Sequence, residues 1–111
     1  DETLLRMGDV DILVNNAGAA WGAPAEDHPA DAWDKVMNLN VRGYFLLSQA
    51  IAKKSMIARR SGRIINISSM GGKMYTPLGS WYHATKHALE GWSVMACAWC
   101  ACCRRGWMRM K

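Results

Sequence analysis

The sequence predicts an α/β fold, in which the strands of a parallel sheet are joined by crossover helices. Residues 10–14 and 62–68 are short, apolar and rich in β-branched side chains, as buried strands are. Between them, the stretch from residue 30 to about residue 60 has a helical pattern. A strand, a long helix and a second strand form a right-handed crossover unit with parallel strands. Because near-continuous apolar strands fit a parallel sheet that is covered on both faces, we expect cover on both sides.

Composition and charge limit the class of protein. The 111 residues make one domain at most, and half of them are apolar, which suffices for a modest core. There is no run of about 18 apolar residues and no basic-then-apolar start, so we expect no membrane span and a cytoplasmic location. The net charge of +5 comes mainly from residues 91–111, which hold no acid and four bases: Arg104, Arg105, Arg109 and Lys111.

The first strand is followed by a tight turn and then by a loop. Asn15, Asn16, Ala17 and Gly18 close the strand, and an asparagine at such a place also bonds the backbone around a strand end. Residues 19–29 contain glycine and two prolines and are predicted to be a loop. Trp21 in this loop either lies at the rim of a cleft or covers the core.

The long helix is predicted from apolar residues at three- and four-residue steps, as on the packed face of a helix: Ala30, Trp33, Met37, Val41, Phe45, Leu46, Ala50 and Ile51. Acidic residues lie near its start and basic residues near its end, as the helix dipole favours. Asn40 and Gly43 are poor helix formers in its middle, so we expect a local bulge or bend there.

A tyrosine and a lysine one turn apart suggest a site for proton transfer. Pro77, Gly79 and Ser80 indicate a turn and the start of a helix, which places Tyr82 and Lys86 on one helix face. A free tyrosine has a pKa of about 10, and a nearby ammonium favours the phenolate. The simpler interpretation is a half-buried aromatic residue beside a solvated charge, because an isolated Tyr-x-x-x-Lys motif is weak.

Four segments, in their order and spacing, resemble the short-chain dehydrogenase/reductase family: DILVNNAG at 11–18, NVRGYF at 40–45, RIINISS at 63–69 and YHATK at 82–86. The resemblance covers residues 9 to about 93. It implies a Rossmann-like fold and an oxidoreductase that interconverts an alcohol and a carbonyl with NAD or NADP.

The resemblance also implies a role for each matching residue. Tyr82 corresponds to the general acid/base and Ser69 to the hydroxyl that orients the substrate. Lys86 corresponds to the residue that binds the nicotinamide ribose and tunes Tyr82, and Asn40 to the residue that anchors a proton-relay water. The cofactor-binding set therefore contains Tyr82 and Lys86 together with the segment on the adenosine side, Asn16, Ala17 and Gly18.

Both ends of the family pattern are missing from the sequence. No Gly-x-x-x-Gly-x-Gly turn precedes residue 9, and the later strands and the substrate loop are absent. We therefore expect an incomplete Rossmann-like sheet, with NAD and NADP not distinguished. We also expect that the chain as written does not turn over, because backbone N–H groups at a helix start normally hold the pyrophosphate.

We divide the chain into residues 1–93, the central part of the family domain, and an atypical tail at 94–111. The tail holds all four cysteines, Cys97, Cys100, Cys102 and Cys103, and is rich in tryptophan and arginine. There is no second spaced ligand pair for a metal, and no secretion signal that would favour disulfides. We interpret the tail as the product of a reading-frame change, because the neighbouring frame of GC-rich codons can encode family-like residues.

Two further features complete the expectations. His83 and His87 are one turn apart, but no other metal ligand is near in sequence, so we expect them to face substrate or solvent and predict no metal.

In a complete chain we expect a homo-oligomer formed through helices 31–58 and 80–95. One alternative is a catalytically silent fragment that keeps this interface. The other is a nucleic-acid or anionic-surface binder using the tail, for which four positive charges are few; we expect no nucleic-acid or membrane partner, only a small alcohol or carbonyl substrate.

Overall fold

The computed structural model describes residues 2–99 and 108–110, and the side chains of residues 2–93. Helix α1, Glu2–Met7, comes first, and strand β1, Ile12–Asn15, follows it. The helical segment α2 runs through residues 30–59 to strand β2, Arg63–Asn66. Helix α3, Ser80–Trp99, and strand β3, Met108–Met110, complete the order. The expectations for the side chains of the four cysteines lie outside the described residues, so the reading-frame interpretation stays a prediction.

The sheet is parallel, as the sequence predicts. Strand β1 pairs with β2, and Asn15 lies opposite Asn66 at the carboxyl end of this pair. Strand β3 also pairs with β2 in parallel, which gives the order β1-β2-β3. The two predicted strands are confirmed within one or two residues at their ends. Strand β3 lies in the tail, where the sequence predicted no strand.

The long helix is present, and it changes its winding at the predicted place. It consists of α-helical Ala30–Met37, π-helical Asn38–Gly43, α-helical Tyr44–Ile51, π-helical Ala52–Met56 and α-helical Ile57–Arg59. The bulge expected around Asn40 and Gly43 is confirmed as the first π-helical stretch. The helix ends with Arg60 in the left-handed region. Gly62, with a φ of 148°, lies so close to Met56 that a Cβ at this position would collide with it.

The buried side of α2 differs from the predicted stripe. The buried residues in its first two thirds follow steps of four: Ala32, Val36, Asn40, Tyr44 and Ser48. Phe45 and Leu46, which belonged to the predicted stripe, are 40% and 44% exposed. The periodicity thus predicts the helix, which is confirmed, but it does not identify the buried residues. The side that faces the sheet and helix α3 is specified by hydrogen-bonding side chains, which an apolar periodicity does not detect.

Buried amides connect the sheet to both long helices. Asn15 Nδ2 donates to Ser48 Oγ in α2 at 2.8 Å and to Asn66 Oδ1 at 2.7 Å. Asn66 Nδ2 donates to Ser93 Oγ in α3 at 2.9 Å. Both helices therefore cover the same face of the sheet.

The other face of the sheet is open in the described part of the chain. Ile12 and Val14, which point away from the amides, are 59% and 50% exposed. The expected cover on this second face is not found among residues 2–99 and 108–110, since both long helices pack on the first. Within the same residues, no helix has the length and apolar character needed to cross a membrane.

Candidate functional site

Tyr82 and Lys86 lie together on the first two turns of α3, as their spacing predicts. The Nζ atom of Lys86 is 5.7 Å from the centroid of the Tyr82 ring. The same Nζ donates a hydrogen bond of 2.9 Å to the main-chain oxygen of Ile67, just after β2. The lysine thus connects the carboxyl end of the strand to the tyrosine. It is not the solvated surface charge of the simpler interpretation, because only 4% of the residue is exposed.

Burial determines the electrostatics around this lysine. Removal from water lowers the pKa of Lys86, since the charged form loses its hydration. Tyr44 of α2 faces the same ammonium, with 5.9 Å between Nζ and its ring centroid. Burial, and to a smaller extent the charge of Tyr82, raises the pKa of Tyr44. Its buried hydroxyl has no hydrogen-bond partner among the described residues. Sequence reasoning missed Tyr44, because an aromatic residue inside a helix usually indicates core packing.

Ser69 is delivered to the site by the segment after β2. It has extended backbone angles, and its Oγ accepts a hydrogen bond of 3.1 Å from the amide of Gly71 at the start of a 3₁₀-helix, Met70–Gly72. This bond fixes the position of the oxygen while the hydroxyl hydrogen stays available to donate. Ser69 and Tyr82 line the same pocket.

The pocket has a volume of about 430 Å³ and a mostly apolar wall. Its larger apolar side chains are Trp21, Met70, Met74, Pro77 and Leu78. No Asp, Glu, Lys or Arg is among the lining residues in the described part of the chain. Trp21 is 46% exposed, which favours the interpretation of this residue as part of a cleft rim.

Asn40 is fully buried and holds the loop that follows β1. Its Oδ1 accepts a bond of 2.8 Å from the amide of Ala19, and its Nδ2 donates to the Ala19 oxygen at 2.8 Å. Nδ2 also donates to Thr85 Oγ1 at 3.0 Å, and Thr85 in turn donates to the main-chain oxygen of Tyr82 at 2.7 Å. The side chain therefore links the β1 loop to the helix that carries Tyr82. A relay role for Asn40 stays a prediction.

Asn16, Ala17 and Gly18 are exposed at the carboxyl end of β1, directly before Ala19. They do not line the pocket with Ser69 and Tyr82. The structure thus places the segment predicted for the adenosine side at the same end of the sheet, attached through Asn40, but outside the pocket itself.

The two histidines have different surroundings. His83 lines the pocket and is only 5% exposed. Of the two expected environments, substrate or solvent, it therefore does not face solvent. His87 Nδ1 donates a hydrogen bond of 2.9 Å to the His83 main-chain oxygen, and the His87 ring stacks on Tyr75 with 5.3 Å between centroids. Within the described residues no three His, Cys, Asp or Glu side chains are grouped so that they could hold a metal ion.

Comparison with known proteins gives consistent matches. The family model of the short chain dehydrogenases matches residues 1–99. The chain is 43% identical over 91 residues to the uncharacterized oxidoreductase YohF of Escherichia coli (strain K12), covering 82% of this chain and 36% of that protein. It is 42% identical over 84 residues to a gluconate 5-dehydrogenase of Gluconobacter oxydans (strain 621H), covering 76% of this chain and 32% of that protein.

Solved structures agree with these matches. A gluconate 5-dehydrogenase from Burkholderia cenocepacia J2315, in complex with NADP and tartrate, superposes with a TM-score of 0.84 at 42% identity, over 88% of this chain and 38% of that one. A metagenomic short-chain oxidoreductase in complex with NADP gives a TM-score of 0.86 at 36% identity, over 99% of this chain and 48% of that one. The chain spans about a third of the length of the curated relatives named above. With its Rossmann-like parallel sheet, the chain belongs to the short-chain dehydrogenase family.

Proposed function

We propose that this chain provides the proton-transfer part of an NAD(P)-dependent oxidoreductase that interconverts a small alcohol and a carbonyl. One observation carries the proposal. Tyr82 and Ser69 line one pocket, and Tyr82 has the buried ammonium of Lys86 beneath its ring. A hydroxyl that transfers a proton, a second hydroxyl that donates to the same substrate oxygen and a cation that stabilises the phenolate suit this reaction.

Each residue then has a distinct task. In the direction of reduction the Tyr82 hydroxyl gives its proton to the substrate oxygen, and in the direction of oxidation it takes one up. Ser69, fixed by the Gly71 amide, donates to the same oxygen and orients it. The nearby positive charge of Lys86 stabilises the phenolate that Tyr82 becomes after donation. The uncharged wall of the pocket supports a substrate portion without a net charge beside the reacting group.

The nicotinamide cofactor would supply the hydride donor or acceptor, and the residues present fit it. An ammonium with three donors, buried beside a partly exposed tyrosine hydroxyl, suits the two hydroxyls of a ribose. We propose that Tyr82 and Lys86 hold the nicotinamide ribose and that Asn16, Ala17 and Gly18 lie along the adenosine side. Two of the solved relatives contain NADP, which supports a nicotinamide dinucleotide in general.

The test of this proposal uses a chimera. Residues 9–93 replace the matching segment of the Burkholderia gluconate 5-dehydrogenase, and Tyr82→Phe is compared with the parent chimera. We expect turnover to fall by at least about a hundredfold, the lower range for general acid/base catalysis, with cofactor affinity nearly unchanged. The matched control is Tyr75→Phe, since Tyr75 is 77% exposed and lies outside the pocket lining. A Tyr82→Phe activity within two- or threefold of the parent would eliminate Tyr82 as the acid/base.

We propose that residues 1–111 by themselves do not turn over. The described residues contain no glycine-rich turn opening a helix that would hold a pyrophosphate. Calorimetric titration with NAD(H) and NADP(H), together with an absorbance assay on small alcohols and ketones, tests this. Micromolar binding with steady turnover would contradict it.

We also propose that α2 and α3 pair with a second copy of the chain. The outward side of α2 carries several exposed apolar side chains: Leu39, Phe45, Leu46, Leu47 and Ile57. Apolar groups that stay exposed on one helix in this number support an interface between proteins.

A further inference from the structure

One wall of the pocket is formed by a segment that has little apolar burial of its own. Residues 73–78 are all exposed, among them Met74, Tyr75 and Leu78. Leu78 also has a φ of 63°, an uncommon conformation for a branched side chain. Hydrophobic packing therefore does not explain how this segment keeps its shape between Ser69 and α3.

The imidazole of His83 explains it. Its Nδ1 bonds the main-chain oxygen of Gly71 at 3.0 Å. Its Nε2 accepts from the amide of Thr76 at 3.0 Å and lies 2.8 Å from Thr76 Oγ1. The pocket wall as a whole is residues 71–79. One buried ring thus bonds Gly71 at its start and Thr76 in its middle.

These partners specify one form of the ring. A backbone amide only donates, so Nε2 must be the acceptor and carries no hydrogen. The Gly71 carbonyl only accepts, so Nδ1 must carry the hydrogen. The arrangement requires the neutral Nδ1–H tautomer, whereas free histidine in water prefers the Nε2–H tautomer.

Two glycines, one at each end of residues 71–79, lie close to the His83 ring. A Cβ at Gly71 would lie 2.7 Å from Nδ1 of His83, and one at Gly79 would lie 2.8 Å from Nε2. Both approaches are too short for any larger residue. Gly71, Thr76 and Gly79 therefore match the shape and the hydrogen bonding of this one side chain.

We infer that His83 is a positioning residue that holds residues 71–79 as the pocket wall beside Tyr82 and thereby sets which substrates fit. Both ring nitrogens are bonded within the wall, so His83 takes no part in proton transfer. The wall contributes Met74, Thr76 and Leu78 to the pocket. That this pocket receives the substrate rests on the proposed function, while the bonding of the wall does not.

The first experiment measures the ring and the wall directly, in the 111-residue chain. Nitrogen NMR of the labelled histidine ring at neutral pH should give the Nδ1–H tautomer for His83. Hydrogen exchange should show the Thr76 amide protected, and His83→Leu should speed its exchange at least tenfold. The Nε2–H tautomer, or an unchanged Thr76 amide in His83→Leu, would overturn the inference.

Matched variants separate a local effect from unfolding. His83→Gln places an amide oxygen near the position of Nε2 and should restore part of the Thr76 protection. Thr76→Val keeps the amide and should change its exchange little. Exchange in residues 44–51 of α2 should be the same in all three variants; a general loss of protection in His83→Leu would mean that His83 stabilises the whole fold, which would contradict a positioning role.

The second experiment uses the chimera of residues 9–93. His83→Leu should raise KM at least tenfold for substrates large enough to reach the wall and leave kcat for the smallest ketone within threefold. An equal fall in kcat for all substrates would contradict the inference. If the parent chimera is inactive, the proposed function fails, while the tautomer and the Thr76 exchange still decide the role of His83.

Discussion

The middle of helix α2 buries polar side chains and exposes apolar ones, although Ala32, Val36 and Tyr44 are also buried. Its buried side carries Asn40 and Ser48, and its outward side carries Phe45, Leu46 and Leu47. The buried polar groups have partners, because Asn40 bonds Ala19 and Thr85, and Ser48 accepts from Asn15. Hydrogen bonds therefore add to apolar contact in setting how this helix lies on the sheet, while the exposed apolar residues are available to another surface.

The largest expected effect comes from breaking the buried amide network that joins Ser48 of α2 to the sheet. Asn66→Leu removes the acceptor of Asn15 and the donor to Ser93, both at fully buried positions. An unpaired buried polar group costs about 1–3 kcal/mol, so we expect the free energy of unfolding to fall by about 2–4 kcal/mol.

Urea denaturation measures this change. The control is Asn38→Leu, the same substitution at an exposed position of α2, which should change stability by less than about 0.5 kcal/mol. Equal effects of the two variants would show that the buried amide network contributes no more to stability than an exposed position of α2.

Lys86 extends the comparison to a buried charge. Burial lowers its pKa in the folded protein, so the unfolded chain binds the proton more tightly. The free energy of unfolding should therefore rise as the pH increases from the folded pKa of Lys86 towards its ordinary value of about 10.4. Lys86→Met removes this rise and should be neutral or stabilising near pH 7.

Thermal unfolding measured across alkaline pH compares Lys86→Met with the parent chain. The control is Lys35→Met, on the exposed side of α2. In the chimera the same Lys86→Met change should weaken cofactor binding and move the pH optimum upward, because Tyr82 loses its nearby cation. Parallel stability curves for Lys86→Met and the parent would count against a buried charge at this position.

A smaller effect is expected at Glu90, which is intermediate between buried and exposed. A hydrogen bond from Lys73 lowers the pKa of Glu90, and one from Ser68 adds to this. A lowered folded pKa means stability that is present above about pH 4.3 and lost as the pH falls through the folded value. Because Lys73 is largely exposed, we expect about 1 kcal/mol or less from this pair.

Glu90→Gln should therefore flatten the acid side of the stability curve, as measured by urea midpoints from pH 6 to pH 3. Glu26→Gln, at an exposed position in the 3₁₀-helix Ala25–Asp27, is the control and should leave the curve unchanged. If stability falls with decreasing pH as steeply in Glu90→Gln as in the parent, the pair of Glu90 and Lys73 adds nothing to stability.

The smallest effect on stability is expected on the outward side of α2. Leu46→Ser should change the free energy of unfolding by less than about 0.5 kcal/mol at low protein concentration, since Leu46 is already 44% exposed. It should instead weaken self-association, as measured by sedimentation velocity over a range of concentrations. A monomeric parent chain, or an association that Leu46→Ser leaves unchanged, would argue against the proposed pairing through this side.

Periodicity and turn residues were sufficient to predict the strands, the long helix and even the irregular winding near Asn40 and Gly43. They were insufficient for the buried side of α2, because a pattern of apolar residues does not reveal that Ser48 of this helix is buried and bonded to Asn15 of β1. The same limit applies within the site. The Tyr82–Lys86 pair is four residues apart and could be predicted, whereas the contact of Tyr44 with Lys86 and the ties of His83 to Gly71 and Thr76 arise only in the folded chain.

The π-helical stretch Asn38–Gly43 has a consequence for how the chain tolerates insertions and deletions. A π-helical turn closes with bonds to the fifth residue and so accommodates one residue more than an α-helical turn. Deleting a single residue there would allow the helix to continue as regular α-helix. Because the π-helical turn takes up the extra residue, the α-helical residues on either side would keep about the same orientation relative to each other. A deletion in the regular α-helical part Ala30–Met37 would instead turn the residues before it by about 100° relative to those after it, so we expect the chain to tolerate a one-residue deletion better in the π-helical stretch.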